Sequence, residues 1–266
     1  MKLYGLKLLL IALLELIINA NSFPQNTKSN KNIIDTIDII HYDLNIDLVY
    51  LSSKSIKGVA NIKFITKTSN ITNITLNLLK LNVDSVQINN ITTNFTYDDT
   101  IIKIPVNASL VNNDTNYVTI YYHGQPIKDA SGWGGFYFTN DSSYAFNLGV
   151  GFMASPHSYG RVWFPCIDDF REKATYDFKI KVKNSNIAVC NGTLIDTYCS
   201  GNNTTTYHWR IKTPIPAYLA SVAIGKYSII SDTYNGINNN IPIKLYVRPS
   251  DSINAINSFT NLKNIL

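Results

Sequence analysis

The sequence predicts a mainly β fold, either an antiparallel β-sandwich or one large saddle-shaped sheet, with one short C-terminal helix. Three observations lead to this prediction. Short runs rich in Ile, Val, Thr and Tyr alternate apolar with polar residues, which is the period of a half-buried strand. Asn, Asp or Gly residues bound these runs at hairpin spacing. Helical periodicity is confined to the last segment of the 266-residue chain.

The first strand is predicted within residues 41–50, where Tyr42 and Leu44 alternate with Asp43 and Asn45. A region rich in Gly and aromatic residues follows position 130, and strands return after position 174. The further predicted strands lie within residues 54–68, 74–89, 100–106, 116–124, 174–184, 187–198, 205–213, 218–230 and 241–249. Together they define a predicted β-domain over residues 38–249.

The last segment, residues 250–266, is the one predicted helix. Ile253, Ile256 and Phe259 recur every three residues on roughly one helical face, and Ser250 or Asp251 is suited to cap its start. A domain rarely ends by starting an amphipathic helix that has nothing to pack on. We therefore expect that the sequence is truncated within the first helix of a second domain.

The amino-terminal residues 1–22 are typical of a secretory signal peptide. Two lysines precede the apolar run 8–18, and the small residues Ala20 and Ser22 follow, which predicts cleavage after Ser22. A membrane anchor is disfavoured because the run of about 11 residues is shorter than the roughly 20 that span a bilayer. We expect a secreted, periplasmic or extracellular protein without a membrane span, in which residues 23–37 form a polar linker.

Composition excludes two classes of protein. Hydrophobic residues make up 45% of the chain and charged residues 15%, which is globular rather than disordered. The net charge of +5 is spread along the chain without a dense basic run. Because nucleic-acid binding requires clustered basic residues, we expect no nucleic-acid partner.

The three cysteines leave two interpretations open. Cys190 and Cys199 flank an eight-residue segment and are candidates for a disulfide across a hairpin in an exported protein. The alternative is that these two and Cys166 are all buried thiols. An odd number of cysteines cannot pair completely within one chain.

Residues 161–178 are unusual for their surroundings, because they combine a Trp-Phe-Pro-Cys run with charges of alternating sign. The segment resembles the signature A-R-x-x-F-P-C-x-D-E-P-x-x-K-A in the N-terminal domain of the aminopeptidase N family of zinc metallopeptidases. The matching residues are Arg161, Phe164, Pro165, Cys166, Asp168, Lys173 and Ala174. Residues 41–48, 74–89, 191–194 and 208–227 resemble further stretches of that family in the same order, and residues 149–152 and 160–163 resemble a bacterial secreted branch.

The resemblance implies that residues 161–178 are structural. Trp163, Phe164, Pro165 and Phe178 are expected in the core, with the charged residues 168–173 pairing along a loop that leads into a strand. In the family this segment ties the β-domain to the catalytic domain. Direct catalysis is not expected, because the segment contains no nucleophile–base pair.

The chemistry of the family is missing from this chain. The resemblance implies one zinc ion held by two His of H-E-x-x-H and a later Glu, with the motif Glu as general base. The four histidines, His41, His123, His157 and His208, are not followed by Glu, and none lies three or four residues from another. The family's G-x-M-E-N motif is also missing. We therefore expect no catalytic or metal-binding residues here, and zinc only in a full-length parent.

Recognition of the substrate's amine is a further expectation drawn from the resemblance. The family uses a Gln or Glu shortly before the Arg-x-x-Phe-Pro-Cys motif to bind the free α-amino group. Residues 145–161 contain neither, so that Asn147 and Met153 are the nearest candidates for a substrate contact. Packing within a loop is the alternative for both.

The sequence thus predicts the non-catalytic N-terminal domain of a secreted zinc aminopeptidase, acting as a scaffold and as one wall of the peptide cleft. Its partners would be the missing catalytic domain and a peptide substrate. The alternative is a stand-alone secreted β-sandwich that binds peptide or carbohydrate. In that case Trp133, Phe136 and Tyr137 would form a stacking surface, although the same aromatics would also suit a core.

Overall fold

A computed structural model describes residues 36–69, 71–106, 110–237 and 239–265. The predicted signal peptide, residues 1–22, and residues 23–35 of the predicted linker lie outside this part of the chain. The first strand begins at Ile37, one residue inside the predicted linker. Within the described ranges, no helix is both long and apolar enough to cross a membrane.

Strands dominate the described residues, and the predicted mainly β fold is confirmed. The strands are β1 (Ile37–Asp47), β2 (Ile56–Thr66), β3 (Asn73–Asn77), β4 (Asn82–Ile88), β5 (Ile91–Thr93), β6 (Thr96–Tyr97), β7 (Ile101–Pro105), β8 (Thr115–Gly124), β9 (Gly135–Phe138), β10 (Tyr144–Leu148), β11 (Lys173–Lys183), β12 (Ile187–Cys190), β13 (Thr193–Cys199), β14 (Thr204–Pro216), β15 (Val222–Gly225), β16 (Ser228–Asn235) and β17 (Asn240–Val247).

These strands form four sheets. The largest has eight strands in the order β13-β14-β11-β1-β2-β8-β4-β5, and a four-stranded sheet has the order β12-β15-β10-β9. A three-stranded sheet, β3-β7-β6, and the hairpin β16–β17 complete the set. β1 pairs in parallel with β11, so the eight-stranded sheet is not purely antiparallel. This pairing joins strands that are more than a hundred residues apart in sequence, a contact that local patterns do not encode.

The alternation in the sequence sets the two faces of the eight-stranded sheet. Tyr42 and Leu44 of β1 are buried, whereas Asp43 and Asn45 lie on the outer face at partial exposure. The same period holds in β2, where Ala60, Ile62 and Phe64 are buried. The predicted periodicity of these two strands is confirmed.

One apolar core lies beneath the eight-stranded sheet and draws on the three- and four-stranded sheets as well. Its centre is residues 159–168, here called the central segment. Trp163 and Phe164 are fully buried and meet edge to face, with ring centroids 4.9 Å apart. Phe164 also contacts Tyr42, at 5.6 Å between centroids. The expectation that these aromatics are core is confirmed.

The central segment is also hydrogen-bonded to the strands around it. Asn77 at the end of β3 exchanges two backbone bonds with Cys166, at 2.7 and 3.0 Å. The Ile167 amide donates to the Tyr42 hydroxyl oxygen at 3.1 Å, and the Tyr122 hydroxyl donates to the Trp163 carbonyl at 3.0 Å. Since buried backbone groups must be paired, these bonds allow a non-regular segment to lie inside the core.

The carboxyl-terminal segment is helical but interrupted. A 3-10 turn at Pro249–Asp251 precedes α1 (Ser252–Ser258), and α2 (Leu262–Ile265) follows. The Thr260 hydroxyl donates to the carbonyls of Ile256 and Asn257, a back-bond that competes with continuation of the helix. Asp251 occupies the N-cap position, but no side chain forms a cap hydrogen bond there.

These two helices lie against the hairpin β16–β17. Ile256, Phe259 and Leu262 line a common cavity with Ile230 and Leu245 of the hairpin. The expected apolar face therefore contacts this hairpin, while Ile253 and Ile265 on the same helices remain largely exposed to solvent.

The hairpin that would have brought Cys190 and Cys199 together, which was one of the two open interpretations, is not formed, and the other, three buried thiols, does not hold for Cys199. Cys190 ends β12 in the four-stranded sheet, whereas Cys199 ends β13 in the eight-stranded sheet. The cysteines are free thiols, Cys166 and Cys190 being buried and Cys199 exposed. Gly192 separates β12 from β13 with φ of +89°, so that the chain turns from one sheet to the other there.

Two stacked tyrosines in the core provide a test of this packing. Tyr42 and Tyr176 lie 5.0 Å apart between ring centroids, but only the Tyr42 hydroxyl has a hydrogen-bond partner among the described residues. Tyr42→Phe leaves the Ile167 amide unpaired and should lower the free energy of unfolding by about 1–3 kcal/mol. Tyr176→Phe removes a buried hydroxyl without a partner and should raise that free energy by about 1 kcal/mol. Urea unfolding of both variants measures the difference, and equal destabilisation would contradict the assignment.

Candidate functional site

The central segment ends in a buried ion pair. Asp168 is 1% exposed, and its carboxylate accepts from Arg161 Nη1 at 2.8 Å. The backbone amides of Gly160 and Arg161 add bonds of 3.3 and 3.2 Å. Burial raises the pKa of the Asp168 carboxyl, and Arg161 opposes this rise. The pair joins the start of the central segment to its end, as expected for a structural motif.

Of the charges that follow, only Asp169 and Arg171 pair with each other among the described residues. Asp169 forms an exposed pair with Arg171, at 2.9 Å from Oδ1 to Nε. Glu172 is buried and accepts from the Ile39 amide at 2.6 Å, so that it ties the loop to β1. Lys173 and Ala174 begin β11, with Lys173 exposed and Ala174 buried.

Cys166 and Pro165 belong to the packed interior. Both are buried, and burial raises the pKa of the Cys166 thiol well above its usual value. A protonated, fully enclosed thiol is not a nucleophile. The geometry therefore gives Cys166 a packing role.

Asn147 lies in the four-stranded sheet and is committed to it. Its Nδ2 donates to the Ala220 carbonyl at 3.0 Å, and its Oδ1 accepts from the Val222 amide at 2.7 Å. The side chain is 6% exposed. Asn147 therefore links β10 to the start of β15, and each of its polar atoms already has a backbone partner.

Met153 lies instead on an exposed loop that is held by Asp129. The Asp129 carboxylate accepts from the Met153 amide at 3.0 Å and from the Ser131 amide at 3.1 Å. The bond from the Ser131 hydroxyl is the largest cause that lowers the pKa of Asp129. Met153 itself is 71% exposed, so its side chain is available for contact, and its role with substrate stays a prediction.

Close backbone approaches bring this loop next to two others. A Cβ on Gly134, which has φ of +107°, would lie 1.7 Å from the Val150 carbonyl oxygen. A Cβ on Gly149 would lie 1.7 Å from the Tyr218 carbonyl oxygen. Only glycine fits at either position, and the turn after β8, the loop after β10 and the turn after β14 are therefore packed together.

These adjoining loops carry several exposed apolar side chains, which together are here called the apolar rim. Phe170 contacts Tyr218 edge to face, at 5.0 Å between centroids, which joins the loop before β11 to the same group. The exposed fractions of the rim side chains run from 43% to 71%. The rim consists of Trp133, Val150, Phe152, Met153, Phe170 and Leu219.

Sequence reasoning found only part of this rim. Trp133 was expected on an exposed surface, and it is exposed, but Phe136 is 1% exposed and belongs to the core. Tyr137 is half-buried and stacks on Phe146. The sequence did not predict the exposure of Phe152 and Phe170 or the bonds from the Met153 and Ser131 amides to Asp129. Glycines at 134, 149 and 151 were the available signal, because each lies where a Cβ would clash.

The histidines do not form the metal site that the family implies. His41 and His208 both contact the Asp177 carboxylate on the outer face of the eight-stranded sheet, at 3.2 and 2.7 Å. His123 pairs with Asp84, and His157 bonds the Gly151 carbonyl. No group of three or more His, Cys, Asp or Glu side chains among the described residues is arranged to hold a metal ion. The residues present do not fit zinc, and we derive no step through it.

Family membership follows from the whole β-domain. The Peptidase M1 N-terminal domain family matches residues 39–219, from β1 to the turn after β14. The chain belongs to this family. The match includes the central segment, the Arg161–Asp168 pair and the whole apolar rim.

Similar proteins of known name include peptidases and transcription factors. Leucine aminopeptidase 2 of Vanderwaltozyma polyspora is 26% identical over 211 residues, 76% of this chain and 30% of that protein. Transcription initiation factor TFIID subunit 2 of Gallus gallus is 36% identical over 75 residues, 28% of this chain and 6% of that protein.

Solved structures share the fold. An M1 zinc metallopeptidase of Deinococcus radiodurans, bound to a Tyr-Ser-Ala substrate, aligns with TM-score 0.67 and 19% identity over 79% of this chain and 47% of its own. Aminopeptidase A of Legionella pneumophila aligns with TM-score 0.66 and 18% identity over 82% of this chain and 25% of its own. The chain thus spans about half, or less, of the length of these relatives.

Neighbouring aspartates test the role assigned to the buried pair. Asp168→Asn breaks a buried ion pair with Arg161 and should lower the free energy of unfolding by about 3 kcal/mol. Asp169→Asn breaks an exposed pair with Arg171 and should cost less than about 1 kcal/mol. Chemical unfolding followed by tryptophan fluorescence compares them. If the Asp169 variant loses as much stability as the Asp168 variant, burial does not set the strength of the pair.

Proposed function

We propose that this chain is the non-catalytic N-terminal domain of a secreted zinc aminopeptidase of the M1 family. Its role is to pack against a catalytic domain and to form one wall of the peptide cleft. The zinc ion and the general base would come from the catalytic domain, since the described residues of this chain fit neither. The signal-peptide pattern of residues 1–22 supports export.

The apolar rim is the observation that carries this proposal. Six large apolar side chains stand exposed on loops that are rigidly held by Asp129, Asn147 and the Arg161–Asp168 pair. Several large apolar side chains exposed on loops that pack together usually mark an interaction surface. The rim also includes Met153, from the loop before the Arg-x-x-Phe-Pro-Cys motif, so the same surface would border the bound peptide.

The missing Gln or Glu in residues 145–161 bears on substrate choice. In this chain the large apolar side chains exposed on that loop are Val150, Phe152 and Met153, which offer apolar contact and no charge-assisted bond to an ammonium group. The proposed wall would therefore favour peptides with large apolar side chains near the scissile bond.

A second candidate is a binding domain without peptidase activity, and the similarity to TFIID subunit 2 favours it. That relative is named as a transcription initiation factor subunit. A stand-alone β-sandwich that binds peptide or carbohydrate would use the same rim, around Trp133. The two candidates differ in whether the reading frame also encodes a zinc site.

The test begins with the complete reading frame that contains this segment. We expect it to encode H-E-x-x-H and a later Glu after Leu266. The purified full-length protein should then contain zinc and should release p-nitroaniline from leucine p-nitroanilide, with loss of activity on chelation. A frame without a zinc site would refute the peptidase proposal and leave the binding domain.

Rim variants of the same full-length protein test the docking role. Phe170→Asp should weaken packing between the domains by about 2 kcal/mol, because a large apolar contact is lost. Limited proteolysis should then release the N-terminal domain faster than from the unaltered protein. Ile91→Asp, at an exposed position outside the rim, is the matched control and should not change the rate. Equal rates for the two variants would show that the rim does not dock.

A further inference from the structure

The outer face of the eight-stranded sheet carries a long depression that the proposed function does not use, and its lining combines apolar surface with polar and charged groups. One half, of about 630 Å³, lies between β1, β2, β4 and β8. The other half, of about 300 Å³, crosses β2, β1, β11, β14 and β13. Asp47 and Lys57 line both halves, so the two are continuous and are here called the outer groove.

Several charges of the outer groove form ion pairs, that of Lys179 being with Asp43 outside the lining, whereas Lys57 has no ion pair among the described residues. Lys179 Nζ lies 2.8 Å from Asp43 Oδ2, and His123 Nδ1 lies 2.8 Å from Asp84 Oδ1. A longer contact of 3.9 Å joins Lys181 to Asp47. Positive and negative groups nearly balance, which gives the groove a weak net field. An anionic polymer, which binds through unpaired cationic side chains, is a poor match.

The groove offers side chains rather than backbone groups. It crosses paired strands, and at Asp47 the backbone is already opposite Lys57 on β2 and Lys181 on β11. An extended peptide usually binds at a sheet edge, where backbone groups are free. A ligand on this face must bond to alternating carboxylate, amide, hydroxyl and ammonium groups. Hydroxyl groups both donate and accept, and therefore suit such a mixed surface.

Exposed tyrosines stand in the two halves of the groove. Tyr50 lines the larger half at 65% exposure, and Tyr198 lines the smaller half at 44% exposure. Lys183 Nζ lies over one face of the Tyr50 ring, 5.1 Å from its centre, so a ligand would stack on the opposite face. Tyrosine combines a flat apolar face with a polar tip, which matches a ring that is apolar on its faces and hydroxylated at its rim.

Three features lead to a proposal: the nearly balanced charge, the backbone groups that are already paired within the sheet, and the two exposed tyrosines. We propose that the outer groove binds a neutral oligosaccharide. The sugar rings would stack on Tyr50 and Tyr198, and their hydroxyls would bond to Asp47, Asn45 and Lys57. The site shares no residue with the apolar rim. It is therefore independent of whether the chain docks against a catalytic domain.

Affinity electrophoresis of the full chain through gels that contain neutral polysaccharides tests the proposal. The panel is β-1,4-glucan, β-1,3-glucan, xylan, mannan and α-1,4-glucan, with a polyanionic glycan and a gelatin digest as the other classes of ligand. We expect at least one neutral polysaccharide to retard the chain. Tyr50→Ala and Tyr198→Ala should each weaken that binding by about tenfold, the size of one lost stacking contact.

Tyr117→Ala is the matched control, because Tyr117 is an exposed tyrosine of β8 that lines neither half of the groove. It should leave retardation unchanged, and thermal melting should show all three variants to be folded. Failure of every neutral polysaccharide to bind would overturn the proposal. So would tighter binding of the polyanion or the peptides, or binding that the Tyr50 and Tyr198 variants do not alter.

Discussion

The rest of the structure depends on the burial of an irregular segment, residues 159–168, inside a β-domain. Irregular backbone is costly in a core unless every polar group finds a partner. Here Asn77, Tyr42 and Tyr122 supply several of those partners from three strands, and the Arg161–Asp168 pair closes the segment, whereas Trp163 Nε1 is buried without a partner among the described residues. The aromatic rings of Trp163 and Phe164 then fill the space between the sheets. The segment is thus both the centre of the core and the anchor of the loops beside it.

This anchoring connects packing to function. Loops are usually mobile and follow the surface, but a binding surface requires fixed side chains. The hydrogen bond from the Met153 amide to Asp129 and the close backbone approaches at Gly134 and Gly149 hold the loops of the apolar rim against one another. A rigid apolar rim loses little conformational entropy when a partner covers it. In the proposed function, the domain would contribute a cleft wall without contributing a reacting group.

Much of the fold could be predicted from sequence, because apolar and polar residues alternate in β1 and β2, and this alternation indicates which side chains face the core. The core role of Trp163 and Phe164 followed from the motif they belong to. The parallel pairing of β1 with β11 could not be predicted, since register between distant strands depends on tertiary packing. The division of residues 187–198 between two sheets was missed for the same reason, and with it the true position of Cys199. Only part of the apolar rim could be predicted from the sequence, because the exposure of an aromatic side chain depends on its neighbours in space.

Amide hydrogen exchange of the central segment tests the central claim most directly. If residues 159–168 hold the sheets together, the amides of Cys166, Ile167 and Asp168 should exchange only through global unfolding. Their protection should equal that of β1 and should fall with denaturant at the same slope. Exchange as rapid as that of the exposed turn at residues 130–133, with β1 still protected, would show that the segment opens independently and would contradict the account.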